Sequence, residues 1–146
     1  MANYQSKQYA NSPTSFAGAN VVNGMMAFYW EVSITANAAN LDTFTFGTLP
    51  KGFRVLGACL ESTDIDTNGS PTVTINVGDS GDADRLFAAS TVGQTGTADR
   101  AVATTGQHYL YTDDTTVTGI IPTGPATGTT GTVSLSLWGR FEGFAS

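Results

Sequence analysis

The tetrapeptide Gly78-Asp79-Ser80-Gly81 carries the residues that surround the nucleophile of trypsin-like proteases, and Gly-Asp-Ser also opens a family of esterases. A serine hydroxyl attacks only when a base and an orienting acid reach it. The protease order places His and Asp before the serine, whereas the single histidine, His108, follows Ser80, and Asp82 stands after Gly81 where that family has glycine. The esterase order needs an aspartate shortly before the histidine, and here Asp113 and Asp114 come after it. The sequence therefore offers no catalytic residue, and Ser80 is expected to be a turn residue closing a strand over 72–78.

Two acidic clusters could hold a cation. Asp64, Asp66, Asn68 and Gly69 match the first half of a calcium loop, whose alternate oxygens converge on one ion. The twelfth position is Ile75 instead of Glu, and no helical pattern flanks the loop, so a hairpin turn is expected. Asp79, Asp82 and Asp84 form the second cluster, with Arg85 beside them to neutralise it. His108 has no Cys, His or carboxylate partner in register, so no metal site and no cofactor is expected. Tyr29, Trp30, Tyr109, Tyr111 and Trp138 could build an aromatic sugar platform, although Trp30 and Trp138 fit strand packing equally.

Strands must position these groups. Phe28, Trp30, Val32 and Ile34 take alternate positions, as do Val133, Leu135 and Leu137, and the period of two puts each set on one strand face. The pattern predicts eight strands, over 26–36, 41–48, 53–62, 72–78, 85–90, 107–112, 115–121 and 131–142. Asn68-Gly69 and Leu49-Pro50-Lys51-Gly52 supply turn chemistry between them. The fold expected is all-β: a two-sheet β-sandwich of jelly-roll type, with a closed barrel as the alternative. Segment 53–60 is apolar on both parities and is expected to be a central strand covered on both faces. The stretches 91–106 and 122–131 read as exposed loops. Residues 1–24, with Tyr4, Tyr9 and Phe16 among Asn, Ser, Gln and Ala, have no period and read as an extended arm before a single domain over 25–146. Three aromatics seek a surface, so Tyr4, Tyr9 and Phe16 are expected to meet a partner or the chain's own sheet.

The 146 residues suffice for one domain with a real core. Cys59 is the only cysteine, which rules out an intrachain disulfide, and it is expected to be a small buried residue. Six Lys and Arg scattered singly in a chain of net charge −6 form no phosphate-neutralising patch, so nucleic acid is not an expected partner. No apolar stretch reaches the 18 residues of a membrane span, and the first residues lack the pattern of a secretory leader, so no membrane partner and assembly in a cytoplasm are expected. Only 12% of residues are charged, and the 23 threonines take their place on a surface suited to protein neighbours.

Three segments carry a resemblance: Leu49-Pro50-Lys51-Gly52-Phe53-Arg54-Val55-Leu56-Gly57, the run from Thr74-Ile75-Asn76-Val77-Gly78-Asp79 through Asp82-Ala83-Asp84-Arg85 to Ala89, and Tyr9-Ala10-Asn11 before the first strand. Over roughly residues 9 to 95 they resemble small virion structural proteins of tailed bacteriophages. The resemblance implies a β-rich, non-enzymatic protein that works in many copies, and a capsid decoration or cement role on the virion surface, assembled in the host cytoplasm. Its implied partners are the major capsid protein and further copies of itself, as a homotrimer. The rival expectation is a receptor- or carbohydrate-binding module of a tail fibre or head appendage, with its aromatics on exposed loops.

Overall fold

The computed structural model describes residues 1–5, 20–22 and 24–142, and these form two five-stranded sheets. One sheet holds, in spatial order, β1 (Asn3–Gln5), β4 (Thr43–Leu49), β9 (Thr115–Thr123), β6 (Thr74–Gly78) and β7 (Phe87–Ser90). The other holds β2 (Asn20–Val22), β3 (Met25–Ile34), β10 (Gly131–Phe141), β5 (Phe53–Ser62) and β8 (Ala98–Asp99). The chain is a sandwich of these two sheets. Its pairing is nested: β3 with β10, β4 with β9, β5 with β8 and β6 with β7, all antiparallel. The ladders β10–β5 and β9–β6 then join the nested pairs into the two layers.

Strict alternation fixes which side faces in. Along β3, Met26, Phe28, Trp30, Val32 and Ile34 are buried while the residues between them are exposed. A one-residue slip would reverse every one of these positions. Phe28 stacks on Trp30 with centroids 5.1 Å apart and meets the edge of Phe53 at 5.5 Å. Each such side chain contributes about 1.5–3 kcal/mol by leaving water. Leu135 and Leu137 of the neighbouring β10, and Phe44, Phe46, Val117 and Ile121 of the facing sheet, complete the same core. The Trp30 indole fits because Gly47 has no side chain: a Cβ there would overlap the ring. Gly47 also sits at the bulge where the β4–β9 register shifts.

Seven of the eight expected strands form, with ends shifted by a few residues. The segment 107–112 does not, because it leaves a turn through His108 at φ 59° and touches β5 only at an isolated bridge between Arg54 and Leu110. The backbone of Tyr109 and Tyr111 secures that bridge, with Val55 N–H donating to Tyr109 O and Tyr111 N–H to Phe53 O, each 2.9 Å. The eighth long-range strand partner comes from 91–106 instead, where β8 pairs with Leu60 and Glu61. That stretch is also not a simple exposed loop: Val92 and Gly93 are buried in a 3-10 turn over Val92–Gln94. Nor is β5 covered on both faces, since Leu56 is 44% exposed on its outer side.

Of the aromatics in the expected arm, Tyr4 lies on the chain's own sheet, while Tyr9 and Phe16 fall outside the described residues. β1 runs parallel to β4 with Tyr4 opposite Phe44, and the two rings stack at 6.2 Å. Asp42 anchors this contact by accepting from Ala2 N–H at 2.9 Å and Ala39 N–H at 3.0 Å.

Candidate functional site

Three places gather the residues that the sequence singles out: the 64–70 loop, the 79–85 turn and the outer face of the β3–β10–β5 sheet. In the loop, the alternating spacing is a stair of Asx turns. Asp64 Oδ1 accepts from Asp66 N–H at 3.0 Å, Asp66 Oδ1 from Asn68 N–H at 3.4 Å, and Asn68 Oδ1 from Ser70 N–H at 2.9 Å. Short polar side chains two residues before an N–H make such turns. Asp66 is almost fully buried and its other lone pairs also go to backbone: Thr72 at 2.7 Å, Val73 at 3.2 Å, Ala126 at 2.9 Å and Thr127 at 2.9 Å. Burial alone would raise this carboxyl, but the N–H groups of Thr127, Thr72, Ala126 and Val73 outweigh it and hold Asp66 well below the usual carboxylate range. The carboxylate that a calcium loop would aim at an ion here ties 64–73 to 124–129.

The 79–85 turn is built in the same way. Asp79 Oδ1 accepts from Gly81 N–H at 2.9 Å and Asp82 N–H at 3.1 Å, and Arg85 clamps the carboxylate from the other side, Nε to Oδ2 at 2.6 Å and Nη2 to Oδ1 at 3.2 Å. Burial pushes Asp79 up, yet Arg85 and the turn N–H groups bring it below its ordinary value. The Arg85 guanidinium also lies 3.8 Å over the Tyr109 ring, and Tyr109 meets Tyr111 edge to face at 4.9 Å. Burial, followed by the nearby Asp79 charge, raises the Tyr111 hydroxyl. Ser80 is exposed at the tip of this turn, and no hydrogen bond joins it to His108 among the described residues. His108 is likewise exposed, and its carbonyl accepts from Arg54 Nη1 at 2.7 Å. Among the described residues no group of three or more His, Cys, Asp or Glu is arranged to hold a metal.

The aromatic residues do not form one platform. Trp30 points into the core, while its neighbour Tyr29 and, across the sheet, Trp138 point outward, 49% and 39% exposed. Trp138 lies over Gly57 of β5, where a Cβ would collide with the indole. Met25 and Leu56 are exposed on the same face, and a shallow pocket of ≈ 370 Å³ opens beside Trp138 between Leu56 and the loop bearing Arg100 and His108. Cys59 is buried on this side near Arg100, and burial pushes its thiol up. The opposite sheet turns Thr74, Asn76, Thr116 and Thr118 outward, each partly exposed, while Thr45 is buried and donates to Asn3 Oδ1 at 3.2 Å. The exposed Met25 escaped sequence reasoning because β3 was read by its buried parity, and Leu56 because β5, apolar on both parities, was expected to be covered on both faces. The outward run Met25, Ala27, Tyr29 was the available signal.

The fold defines a β-sandwich whose buried carboxylates Asp66 and Asp79 serve its own turns. Two solved phage structures contain chains similar to it along nearly their whole length. A chain of the cyanophage Pam1 capsid asymmetric unit is 39% identical, with 88% of this chain and 90% of that one covered and a TM-score of 0.73. A chain of the capsid of Ralstonia phage GP4 is 30% identical, with 95% and 98% covered and a TM-score of 0.78. The chain belongs to the family that these two capsid chains represent, the phage virion structural proteins. No protein-family model and no curated protein matches the sequence.

Proposed function

We propose that the chain is a capsid decoration or cement protein, which binds the major capsid protein at the virion surface and stabilises the shell. The observation that carries this reading is similarity over 88% and 95% of the chain to chains of two phage capsids. The architecture supports it physically. Nested pairing of eight strands, four to a sheet, is the winding of a jelly roll, and it leaves the broad sheet faces and the loop ends free for contact. Residues 25–146 are the body in this reading, and residues 1–24 are the arm, of which Tyr4 already lies on the body's own sheet. The rival reading as a carbohydrate- or receptor-binding module required aromatics on exposed loops, and the exposed Tyr29 and Trp138 are on strands.

The test uses capsids assembled from the major capsid protein of the same phage without this chain. Purified chain should co-sediment with them at a fixed stoichiometry, appear as ordered density on the shell in a cryo-electron map, and raise the temperature at which they disrupt. Capsids that neither bind the chain nor gain stability would refute the reading.

A further inference from the structure

We propose, resting on the capsid reading, that Leu41, with Met1 beside it, is the apolar knob by which the chain seats in a socket of the major capsid protein. The first observation is strain. Leu41 sits at φ 66°, the left-handed region in which a Cβ crowds the following carbonyl. Asparagine and glycine take that conformation at far lower cost. The turn needs the geometry: Leu41 N–H donates to Ile121 O at 2.9 Å, and Asp42 N–H returns to Ala39 O at 3.3 Å. It does not need a leucine, whose side chain is 46% exposed. A half-exposed leucine is ordinary on a protein surface. One held there against its backbone preference points to a use outside the fold.

The second observation is placement. Among the described residues six large apolar side chains are exposed, and four of them, Met25, Tyr29, Leu56 and Trp138, lie on the outer face of β3–β10–β5. The other two are Leu41 and Met1. Ala2 N–H donates to Asp42 Oδ1 at 2.9 Å and Ala2 O accepts from Thr43 N–H at 2.7 Å, so the parallel register that sets Asn3 opposite Thr43 brings Met1 level with Leu41. Asp42 is buried and holds the loop from inside, accepting from Ala39 N–H as well. Leu41 is therefore fixed in place before any partner arrives, which lowers the entropy lost on docking.

The third observation is charge. Leu41 stands at the end of the sandwich where loops 35–42, 63–73, 91–97 and 124–130 meet. They are tied by Ala38 N–H to Thr129 O at 3.1 Å, Thr129 N–H to Ile65 O at 3.2 Å and Ile65 N–H to Gly93 O at 2.9 Å. Their charged residues are Asp42, Asp64 and Asp66, of which Asp64 alone is exposed. The opposite end exposes Lys51, Asp84, Asp113 and Asp114. The outer face of β3–β10–β5 interleaves its apolar side chains with the exposed Glu31, Glu61 and Arg140. A neighbour covering the Leu41 end strips water from hydroxyls and amides but from almost no ions, the costliest groups to dry. In a chain of net charge −6 this is also the end that a neighbour of either sign approaches with least hindrance. A projecting side chain on a pinned, nearly uncharged surface fits a recess, so the shell's half of the contact is an apolar socket with a polar rim.

Shells assembled from the major capsid protein of the same phage without this chain test it, with Kd read from co-sedimentation and the melting of each isolated chain from circular dichroism. Leu41→Asn suits the left-handed backbone. It should bind about tenfold more weakly, since most of the leucine's apolar area leaves the contact, yet melt no lower than the wild type and up to about 3 °C higher. Leu41→Asp should weaken binding at least about a hundredfold, because the socket would have to bury an unpaired carboxylate. Leu41→Met keeps the apolar volume and should stay within about threefold of the wild type. Shell binding by Leu41→Asn and Leu41→Asp at wild-type strength would overturn the assignment and leave the capsid reading standing. A lower melting temperature in Leu41→Asn would also overturn it, by making the leucine part of the fold's own packing. Unchanged shell binding with loss of an oligomer in sedimentation of Leu41→Asp would give the knob to a second copy instead. A wild-type chain that binds no shell refutes the capsid reading and this assignment together.

Discussion

Removing the Asp66 carboxylate should be among the most damaging single changes to this protein. The side chain is 1% exposed and accepts from Asn68, Thr72, Val73, Ala126 and Thr127, which belong to two loops some sixty residues apart in sequence. In Asp66→Ala these N–H groups lose their acceptor. A buried polar group left unpaired costs about 1–3 kcal/mol. The outermost, Asn68 and Ala126, can turn to water, so the full sum is not reached. An overall loss of about 3–5 kcal/mol follows, a large part of the roughly 5–15 kcal/mol that holds a domain together, and melting should fall by about 10 °C. Asp66→Asn should do little better. It restores one acceptor, for Asn68 and Thr127, but turns an amide donor toward the N–H groups of Thr72, Val73 and Ala126.

The same carboxylate gives a signature in pH. Its native pKa is depressed, so the unfolded chain binds the proton first, and the stabilisation is complete above the unfolded value of about 3.9 and lost as pH falls below it. At pH 3 the native group is still ionised, and the wild type should have lost about 1 kcal/mol of its advantage over Asp66→Asn. Urea unfolding of both proteins at pH 7 and pH 3 measures this. A loss below about 1 kcal/mol at pH 7, or a gap between the two proteins that is the same at both pH values, would refute the account of Asp66 as a loop anchor.

Arg85→Ala should leave Asp79 buried without its partner and cost about 3–5 kcal/mol, with Arg85→Lys recovering only part because it loses both the two-pronged contact and the stacking over Tyr109; urea unfolding of the three proteins checks this. Gly47→Ala should cost about 1–3 kcal/mol by forcing the Trp30 indole out of its rotamer, and the near-ultraviolet circular dichroism of Trp30 should change with it. An unchanged spectrum and stability would mean that the β4 bulge has room to spare.

The core was legible in the sequence because one physical rule governs it. Phe28, Trp30, Val32 and Ile34 share a parity, and the parity survives whichever strand comes to lie beside them. The resemblance of the 49–57 and 74–89 segments to phage virion proteins was likewise readable, and two capsid chains match it. The segment 107–112 misled because Tyr109 and Tyr111 also share a parity. Their burial comes from docking under Arg85 and against the β5 edge, while the backbone at His108 adopts a left-handed conformation that no period announces. β8 was invisible for the opposite reason: two residues are too few to carry a pattern, and tertiary pairing with Leu60 and Glu61 alone makes them a strand. The 79–85 cluster was read correctly as a turn with Arg85 as neutraliser, but the 64–70 cluster is not the hairpin turn expected, since β5 and β6 lie in different sheets and the loop crosses between them, and neither cluster was read as an anchor. That Asp66 reaches Ala126 and Thr127 is a fact of the fold, which no local spacing contains.

Folding constrains one parity of each strand and leaves the other free, and this division explains where a virion protein can store its specificity. β3 and β9 obey the same inward rule, with Val32 and Ile34 on one and Val117 and Ile121 on the other filling a common core. Outward they differ: Met25, Ala27 and Tyr29 lie on β3, and Thr116, Thr118 and Ile120 on β9. Exchanging the outward sets would cost the sandwich little, since surface positions away from caps and pairs change stability by no more than about 0.5 kcal/mol. The difference between the two faces is therefore not required by folding. What it does change is which surface a neighbour can cover with gain. On the β3 face, cover removes apolar side chains from water; on the β9 face, it must replace the hydration of threonine hydroxyls one by one.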